Sequence, residues 1–208
     1  MARSKSSKAW LRRHVSDPYV HRAKAQGYRS RSAYKLIEIA NRDKLVRPGD
    51  NVVDLGAAPG GWAQALAERA GRSGRVIAVD LLEIAPISGV TVVRGDFGDA
   101  AVLERIEADL EGRRLDLVVS DMAPNLSGVS ATDQARSIHL CELALDFARS
   151  HLKPDGTFLV KVFQGADYPE FLAAMRGAFV EVASRKPGAS RAGSSEMYLL
   201  GKKLRSGH

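Results

Sequence analysis

The chain has 208 residues, which is enough for one α/β domain with a sizeable core and short for two domains. Its composition, 45% hydrophobic and 26% charged, is that of an ordinary globular protein. No apolar run approaches the roughly 20 residues that cross a bilayer, so we expect no membrane-spanning segment. Cys141 is the single cysteine, which excludes an internal disulfide and a cysteine-based metal cluster.

The net charge of +7 is concentrated at the two ends of the chain. Residues 1–35 contain ten Lys and Arg against one acidic residue, and residues 183–208 contain six against one. The middle, residues 36–182, contains 15 basic and 22 acidic residues. This distribution predicts a polyanion-binding surface attached to a core with another task. The first residues lack the apolar stretch of a secretory signal, so we expect a cytoplasmic protein; a mitochondrial presequence, also basic and Ser-rich, is the alternative.

The predicted elements begin with two helices and continue as alternating strands and helices. The first helix is predicted to start at Pro18 after the N-cap Asp17 and to end at Gly27, and the second to start after Ser30 or Ser32. Strands are predicted at Asn51–Leu55, Arg75–Asp80, Val90–Arg94, Leu115–Ser120, Thr157–Phe163, Val180–Arg185 and Glu196–Gly201. The intervening helices are predicted at Gly60–Ala70, Asp99–Glu111, Ala131–Leu152 and Pro169–Phe179.

Continuous apolar strands that alternate with helices predict an α/β fold with a mainly parallel sheet of seven strands and helices on both faces. The fifth strand is predicted to follow a turn at Lys153–Gly156, because Pro and Gly there stop the preceding helix. No helix separates the last two strands, so we expect an antiparallel hairpin at the edge of the sheet.

Acidic residues stand at or just after the ends of the first four predicted strands. The first strand leads into a glycine-rich loop that contains Gly56 and Gly60, where a ligand can approach the backbone. A dinucleotide would favour the spacing G-x-G-x-x-G, which is absent here. Carboxylates suit the ammonium and sulfonium of S-adenosylmethionine and would repel a pyrophosphate, so this cofactor is favoured. The acidic residues are Asp54, Asp80, Asp96 and Asp121.

Lys161 stands inside an otherwise apolar strand, where an unpaired ammonium group is costly. Asp121 ends the neighbouring strand, and Glu196 begins the last one. Lys35 lies on the second helix, where pairing with Glu38 is the simpler interpretation of its position.

These segments resemble the FtsJ-type ribosomal RNA ribose 2′-O-methyltransferases over nearly the whole chain. The resemblance rests on SRSAYKLIEI (30–39), VVDLGAAPGGW (52–62), GDF (95–97), SDMAPNLSG (120–128), FLVKVFQG (158–165) and RKPGASRAGSSEMYLL (185–200). It implies a Rossmann-like class I methyltransferase fold that uses S-adenosyl-L-methionine. The family's Lys-Asp-Lys-Glu tetrad falls on Lys35, Asp121, Lys161 and Glu196. It implies that Lys161 is either a base or a group that orients a substrate oxygen, and we expect the carboxylates of Asp121 and Glu196 to hold Lys161 in position. By the same resemblance, the cofactor pocket is lined by Gly60, Trp62, Asp80, Asp96 and Asp121, to which the loop pattern adds Asp54 and Gly56.

The resemblance also implies the substrate, a uridine of 23S rRNA in the assembled 50S subunit. We expect residues 1–29 to form a basic RNA-binding extension and residues 30–208 to form the methyltransferase domain. The RNA-binding candidates are Arg12, Arg13, Arg29, Arg31, Arg185, Lys186 and Arg191. Neither a metal site nor an obligate dimer interface is expected, so a monomer is predicted. The alternatives are a methyltransferase that acts on a base nitrogen or a small molecule, and a non-catalytic ribosome-assembly factor with this fold.

Overall fold

A computed structural model describes residues 17–124, 130–191 and 193–205. The predicted contacts of Arg12 and Arg13 and part of the motif 120–128 therefore lie outside the described residues. The seven strands are β1 (Asn51–Leu55), β2 (Arg75–Asp80), β3 (Val90–Arg94), β4 (Leu115–Ser120), β5 (Leu152–Phe163), β6 (Phe179–Arg185) and β7 (Glu196–Leu204). The helices are α1 (Pro18–Ala25), α2 (Ala33–Asp43), α3 (Gly61–Ala70), α4 (Ala100–Leu110), α5 (Ser130–His151) and α6 (Tyr168–Ala178).

The strands form one sheet in the order β3-β2-β1-β4-β5-β7-β6. The first five strands pair in parallel, and β7 pairs antiparallel with both β5 and β6. The predicted Rossmann-like α/β fold and its antiparallel hairpin are thus confirmed. Within the hairpin, β6 takes the edge and β7 lies inside, next to the central strand β5.

The predicted start of β5 at Thr157 is wrong. The strand begins at Leu152, which pairs with Leu115, and regular pairing resumes with Thr157 opposite Leu117. One residue of β4 therefore faces four residues of β5, so the strand is irregular there rather than interrupted by a turn. Lys153 in this stretch donates to Asp116 at 2.6 Å, which holds the irregular segment to β4.

Two hydrophobic layers cover the sheet. One face packs under α4, α5 and α6, with Phe158, Val160 and Val162 of β5 in that layer. The other face packs under α2 and α3, with Leu159 and Tyr198 in its core. Because side chains of a strand alternate between faces, Lys161 lies on the same face as Leu159, towards α2. In the described part of the chain, no helix is long and apolar enough to cross a membrane.

The two N-terminal helices pack on this fold. The predicted cap of α1 is confirmed, since Asp17 Oδ1 accepts from the Tyr19 amide at 3.0 Å. Asp17 also pairs with Arg31, whose guanidinium donates to the Ala189 carbonyl oxygen as well. The second helix begins after Ser32 as predicted, but this side chain makes no capping hydrogen bond. Its hydroxyl lies 2.6 Å from that of Ser30 instead.

We predict that Asp17→Ala lowers the free energy of unfolding by about 1–2 kcal/mol, because it removes the cap of α1 and the partner of Arg31. Denaturant unfolding measures the loss, and hydrogen exchange should rise in the amides of α1. Asp17→Asn is the matched control, since it keeps the capping oxygen and removes the charge. Unchanged exchange of α1 in Asp17→Ala would show that the cap and the ion pair do not hold this helix.

Candidate active site

The loop 56–60 connects β1 to α3 and can be built only with glycine at two positions. Gly56 has a φ of +77°, and a Cβ there would lie 2.7 Å from Met122 Cγ. Gly60 has a φ of +105°, and a Cβ there would lie 2.7 Å from Ile87 Cδ1. Both conformations are strained for any other residue, and both sites lack room. Close packing against the segments after β2 and β4 therefore shapes this loop.

Asp54, at the carboxyl end of β1, is fully buried. Neither of its carboxylate oxygens makes a hydrogen bond of normal geometry. Burial raises the pKa of Asp54 well above its usual range, the carboxylates of Asp121 and Asp80 raise it further, and the opposing effect of the Ala63 amide is smaller. A buried acid without a partner is expensive in a folded protein. It marks this strand end as a place where a cationic ligand group would be stabilised.

The other predicted pocket residues lie around the same sheet edge. Asp80 accepts at 2.8 Å from the amides of Ala58 and Leu82, so it joins the glycine-rich loop to the segment after β2. Asp96 is exposed and accepts from the Gly98 amide at 2.9 Å. Each carboxylate keeps lone pairs for a ligand.

Trp62 is buried at the start of α3. Its Nε1 donates to the Ser32 carbonyl oxygen at 2.9 Å, and its ring lies 5.6 Å from that of Tyr198. The indole donor is thus already used within the protein. A contact of Trp62 with the cofactor stays a prediction.

Strand register brings the predicted tetrad together. Lys161 on β5 is directly opposite Tyr198 on β7, and Glu196 lies two residues from Tyr198 on the same face of that strand. Ser120 of β4 pairs with Val160, which places Asp121 beside Lys161. The fourth member, Lys35, comes from α2, which covers this face of the sheet.

The four residues form two ion pairs. Lys161 Nζ lies 3.0 Å from Asp121 Oδ1 and donates to the Asp121 carbonyl oxygen at 2.5 Å. Lys35 Nζ donates to Glu196 Oε1 at 2.6 Å and to Oε2 at 2.8 Å. The expectation that both carboxylates hold Lys161 therefore applies to Asp121, whereas Glu196 binds Lys35. The alternative pairing of Lys35 with Glu38 is wrong, because Glu38 accepts from the Gly188 amide.

Glu196 is held as an anion by its neighbours. Burial by itself would raise the pKa of Glu196, but the charge of Lys35 and the hydrogen bonds from Lys35 and Ser190 outweigh it and lower this pKa. Ser190 donates to Glu196 Oε1 at 3.0 Å. The carboxylate is thus ionised and fixed in position, which in turn fixes the Lys35 ammonium group.

Tyr198 joins the two pairs and was not among the residues predicted from the sequence. Its hydroxyl lies 3.0 Å from Asp121 Oδ1 and 3.4 Å from Glu196 Oε1. The side chain is buried, and burial together with the two carboxylates raises its pKa well above the ordinary value of 10.0. The hydroxyl is therefore neutral and available as a donor. Tyrosine is common in strands, so only the i, i+2 spacing from Glu196 could have signalled this role.

Most of the described RNA-binding candidates have partners within the protein. Arg185 forms a fork with Asp43, at 2.7 and 2.6 Å, and Lys186 donates to the carbonyl oxygens of Ser194 and Glu196. Arg31 binds Asp17 and Ala189, as described above. Arg29 donates to carbonyl oxygens of two loops. Arg191 is exposed.

The donor set at the carboxyl end of the sheet fits S-adenosylmethionine. The unpartnered Asp54 carboxyl group suits a cationic group, and Gly56 and Gly60 let the loop 56–60 pack closely against the segments after β4 and β2 at this end of the sheet. Within the described ranges, no group of three or more His, Cys, Asp or Glu side chains could hold a metal ion.

Comparison with known proteins identifies the family. A family model described as FtsJ-like methyltransferase matches residues 28–204. This chain belongs to the FtsJ-like methyltransferase family. Relatives named Ribosomal RNA large subunit methyltransferase E share 60% identity, one from Chromobacterium violaceum over 97% of this chain and 98% of its own length. Another, from Azoarcus sp., matches over 99% of this chain and 100% of its own length.

Solved structures agree with this assignment. A candidate ribosomal RNA methyltransferase from Plasmodium falciparum superposes with a TM-score of 0.77 at 28% identity, over 85% of this chain and 98% of its own. A Streptococcus mutans protein in complex with SAH shares the fold at a TM-score of 0.51 and 11% identity, over 83% of this chain and 95% of its own. Because the chain belongs to the FtsJ-like methyltransferase family and matches its relatives over nearly their whole length, it is a methyltransferase with S-adenosyl-L-methionine as methyl donor.

We predict that Asp54→Asn raises the free energy of unfolding of the cofactor-free enzyme at neutral pH by about 1–3 kcal/mol and weakens cofactor binding. Between the ordinary pKa near 3.8 and its raised value, the folded protein holds one more proton than the unfolded chain. The stability of the wild type therefore falls as pH rises through this window, and the substitution removes that fall. Urea unfolding at several pH values and calorimetric titration with S-adenosylmethionine measure both effects. Equal pH slopes for the two proteins would contradict the raised pKa.

We predict that Tyr198→Phe lowers kcat about tenfold and leaves cofactor affinity unchanged, because Asp121 and Glu196 lose the donor that links them. Both ion pairs remain, so the variant should fold. Tyr168→Phe is the matched control, since the Tyr168 hydroxyl contacts Ser184 away from the site. Equal activities of the two variants would show that the bridge has no role in the reaction.

Proposed function

We propose that this enzyme transfers a methyl group from S-adenosylmethionine to the ribose 2′-hydroxyl of a uridine in 23S rRNA, presented in the assembled 50S subunit. The observation that carries the proposal is the Lys161–Asp121 pair, buried next to the glycine-rich loop. The Lys161 side chain is only 8% exposed, and a charged group this buried is typical of a functional site. A role at the reacting oxygen accounts for its position. The names of the near full-length relatives support rRNA of the large subunit as the substrate.

The reaction needs positioning more than activation of the donor. S-adenosylmethionine supplies a methyl group that its sulfonium has already activated. The protein has to place a weakly nucleophilic hydroxyl in line with that group and accept its proton. Asp121 takes up two contacts of the Lys161 nitrogen, through its carbonyl and its carboxylate. The remaining N–H of the Lys161 ammonium group is left to hold the 2′-oxygen in line with the methyl group, and the hydroxyl proton passes to the Asp121 carboxylate, the member of the pair that can accept one.

Lys35 and Glu196 have a different task in this proposal. Lys35 Nζ is fixed on the same face as Lys161 by two hydrogen bonds to Glu196. A fixed cation beside the reacting ribose suits the adjacent phosphate, which is the nearest negative charge of an RNA substrate. Tyr198 keeps the spacing between this pair and the Lys161–Asp121 pair constant, since its hydroxyl contacts both carboxylates.

RNA affinity comes from the basic ends of the chain. We assign this role to residues 1–29 as an RNA-binding extension of a methyltransferase domain at 30–208, together with Lys186 and Arg191. Contacts with phosphate provide affinity without base readout, so binding should weaken steeply with salt. The enzyme is proposed to act in the cytoplasm as a monomer.

The test is transfer of labelled methyl groups to large ribosomal subunits from cells that lack this enzyme. We expect label on a ribose 2′-oxygen, and we expect Lys161→Ala to lower the rate at least about 100-fold, since proton transfer by a positioned side chain contributes this much. Lys153→Ala is the matched control, because Lys153 lies on the same strand and pairs with Asp116 at the opposite end of the sheet. It should retain the wild-type rate.

Other outcomes would identify the competing functions. Label on a base would move the enzyme to the class that modifies base nitrogens. Cofactor binding without transfer to subunits or free RNA would reject the proposed substrate. An absence of cofactor binding as well would favour the non-catalytic assembly factor.

A further inference from the structure

Arg29 lies where two loops of the cofactor pocket meet. Its Nη1 donates to the carbonyl oxygens of Ala85 at 2.6 Å and Pro59 at 3.4 Å, and its Nη2 donates to that of Pro86 at 2.6 Å. Pro59 belongs to the glycine-rich loop 56–60, and the other two belong to the loop 81–89 that follows β2. One guanidinium group therefore binds both loops.

The same two loops pack against each other beneath Arg29. A Cβ at Gly60 would lie 2.7 Å from Ile87 Cδ1 and 3.2 Å from both Ile84 Cγ2 and Arg29 Cδ. Ile84 is buried in a small cluster with Ala57, and Asp80 binds the Ala58 amide at 2.8 Å. The shape of the pocket at the end of β2 thus depends on how closely the loop 81–89 is held to the glycine-rich loop.

The loop 81–89 packs on the start of α3 through Ile84, which is buried in one cluster with Ala63, but residues 86–88 of the loop are set apart from the rest of the helix. A cavity of about 490 Å³ separates them there, with Gln64 and Glu68 of α3 on one side and Pro86, Ile87 and Ser88 on the other. Arg29 also borders this cavity. Atoms that face a gap lack contact partners, so hydrogen bonds have to restrain the loop on this side.

The backbone next to Arg29 is itself anchored to α3. The Arg29 amide donates to Gln64 Oε1 at 3.3 Å, and Gln64 Nε2 donates to the Gly27 carbonyl oxygen at 3.0 Å. The guanidinium group therefore reaches the two loops from a backbone that is held in place by Gln64. An arginine on a flexible surface segment, free to bind a phosphate, would lack these contacts.

We propose that Arg29 is a positioning residue of the cofactor pocket, which ties the loop 81–89 to the glycine-rich loop and so raises the affinity for S-adenosylmethionine. This role replaces a direct phosphate contact of its guanidinium group, whereas its charge still adds to the long-range attraction of RNA. A planar guanidinium can bind several carbonyl oxygens on two loops at once, whereas a lysine presents one nitrogen at the end of a flexible chain. The inference rests on the proposed position of the pocket.

Arg29→Lys separates the two roles, because it keeps the positive charge and loses the planar fork. We expect its KM and Kd for S-adenosylmethionine to rise about tenfold, with kcat at saturating cofactor within about twofold of the wild type. The affinity for RNA and its salt dependence should not change, because the long-range attraction of RNA depends on the positive charge, which lysine keeps. Calorimetry measures cofactor binding, and filter binding at several salt concentrations measures RNA binding. Hydrogen exchange should also rise in the amides of the loop 81–89.

Lys24→Ala is the matched control, since Lys24 is an exposed basic residue of α1 in the same segment. It should leave the cofactor Kd unchanged. If Arg29→Lys binds the cofactor as tightly as the wild type, the inference is overturned. Loss of RNA affinity without loss of cofactor affinity in Arg29→Ala would overturn it too and assign Arg29 to the RNA surface. Failure of the wild type itself to bind S-adenosylmethionine would instead count against the pocket and the proposed function.

Discussion

The active site depends on one constraint, the burial of the Lys161 ammonium group in a central strand. A buried cation needs an anion and further hydrogen bonds close by, or it destabilises the fold. Asp121 satisfies this need with its carbonyl and its carboxylate. Since Asp121 follows β4 and Lys161 lies on β5, the pair also fixes where the chain leaves β4. Tyr198, opposite Lys161 on β7, is then placed to share Asp121 and to connect it with Glu196.

Asp54 shows the opposite condition, a buried acidic group without an ion-pair partner. The protein tolerates it because the carboxyl can keep its proton, as its raised pKa implies. A cationic ligand group beside Asp54 would favour the ionised form and recover that cost. Asp54 thus lowers the free energy of unfolding of the free enzyme, and ligand binding restores it. This is a common reason why substituting a site residue stabilises a protein. Lys161 and Asp54 differ because only the first is balanced within the chain.

Some features of this molecule could be predicted from the sequence for clear physical reasons. Lys161 was evident because a charge interrupts an apolar strand, and Gly56 and Gly60 because a tight strand-to-helix loop needs them. Tyr198 was not evident, because tyrosine in a strand has an ordinary hydrophobic explanation and its partners are set by register. The start of β5 was wrong because Pro154 and Gly156 are typical of a turn, whereas here they lie in an irregular stretch that Lys153 holds to Asp116.

The basic residues pose the same problem, because a sequence shows charges without their partners. Arg31 and Arg185 are paired with Asp17 and Asp43, so each is neutralised locally and adds little to the field that attracts RNA.

The contacts described for Arg29 and Lys186 are with neutral carbonyl oxygens. No carboxylate among these contacts offsets their positive charges. Counterion release depends on charge near the phosphates rather than on free donors. Arg29 can therefore hold the cofactor loops and still contribute to the attraction of RNA, which is why exchange for lysine, and not for alanine, separates the two effects.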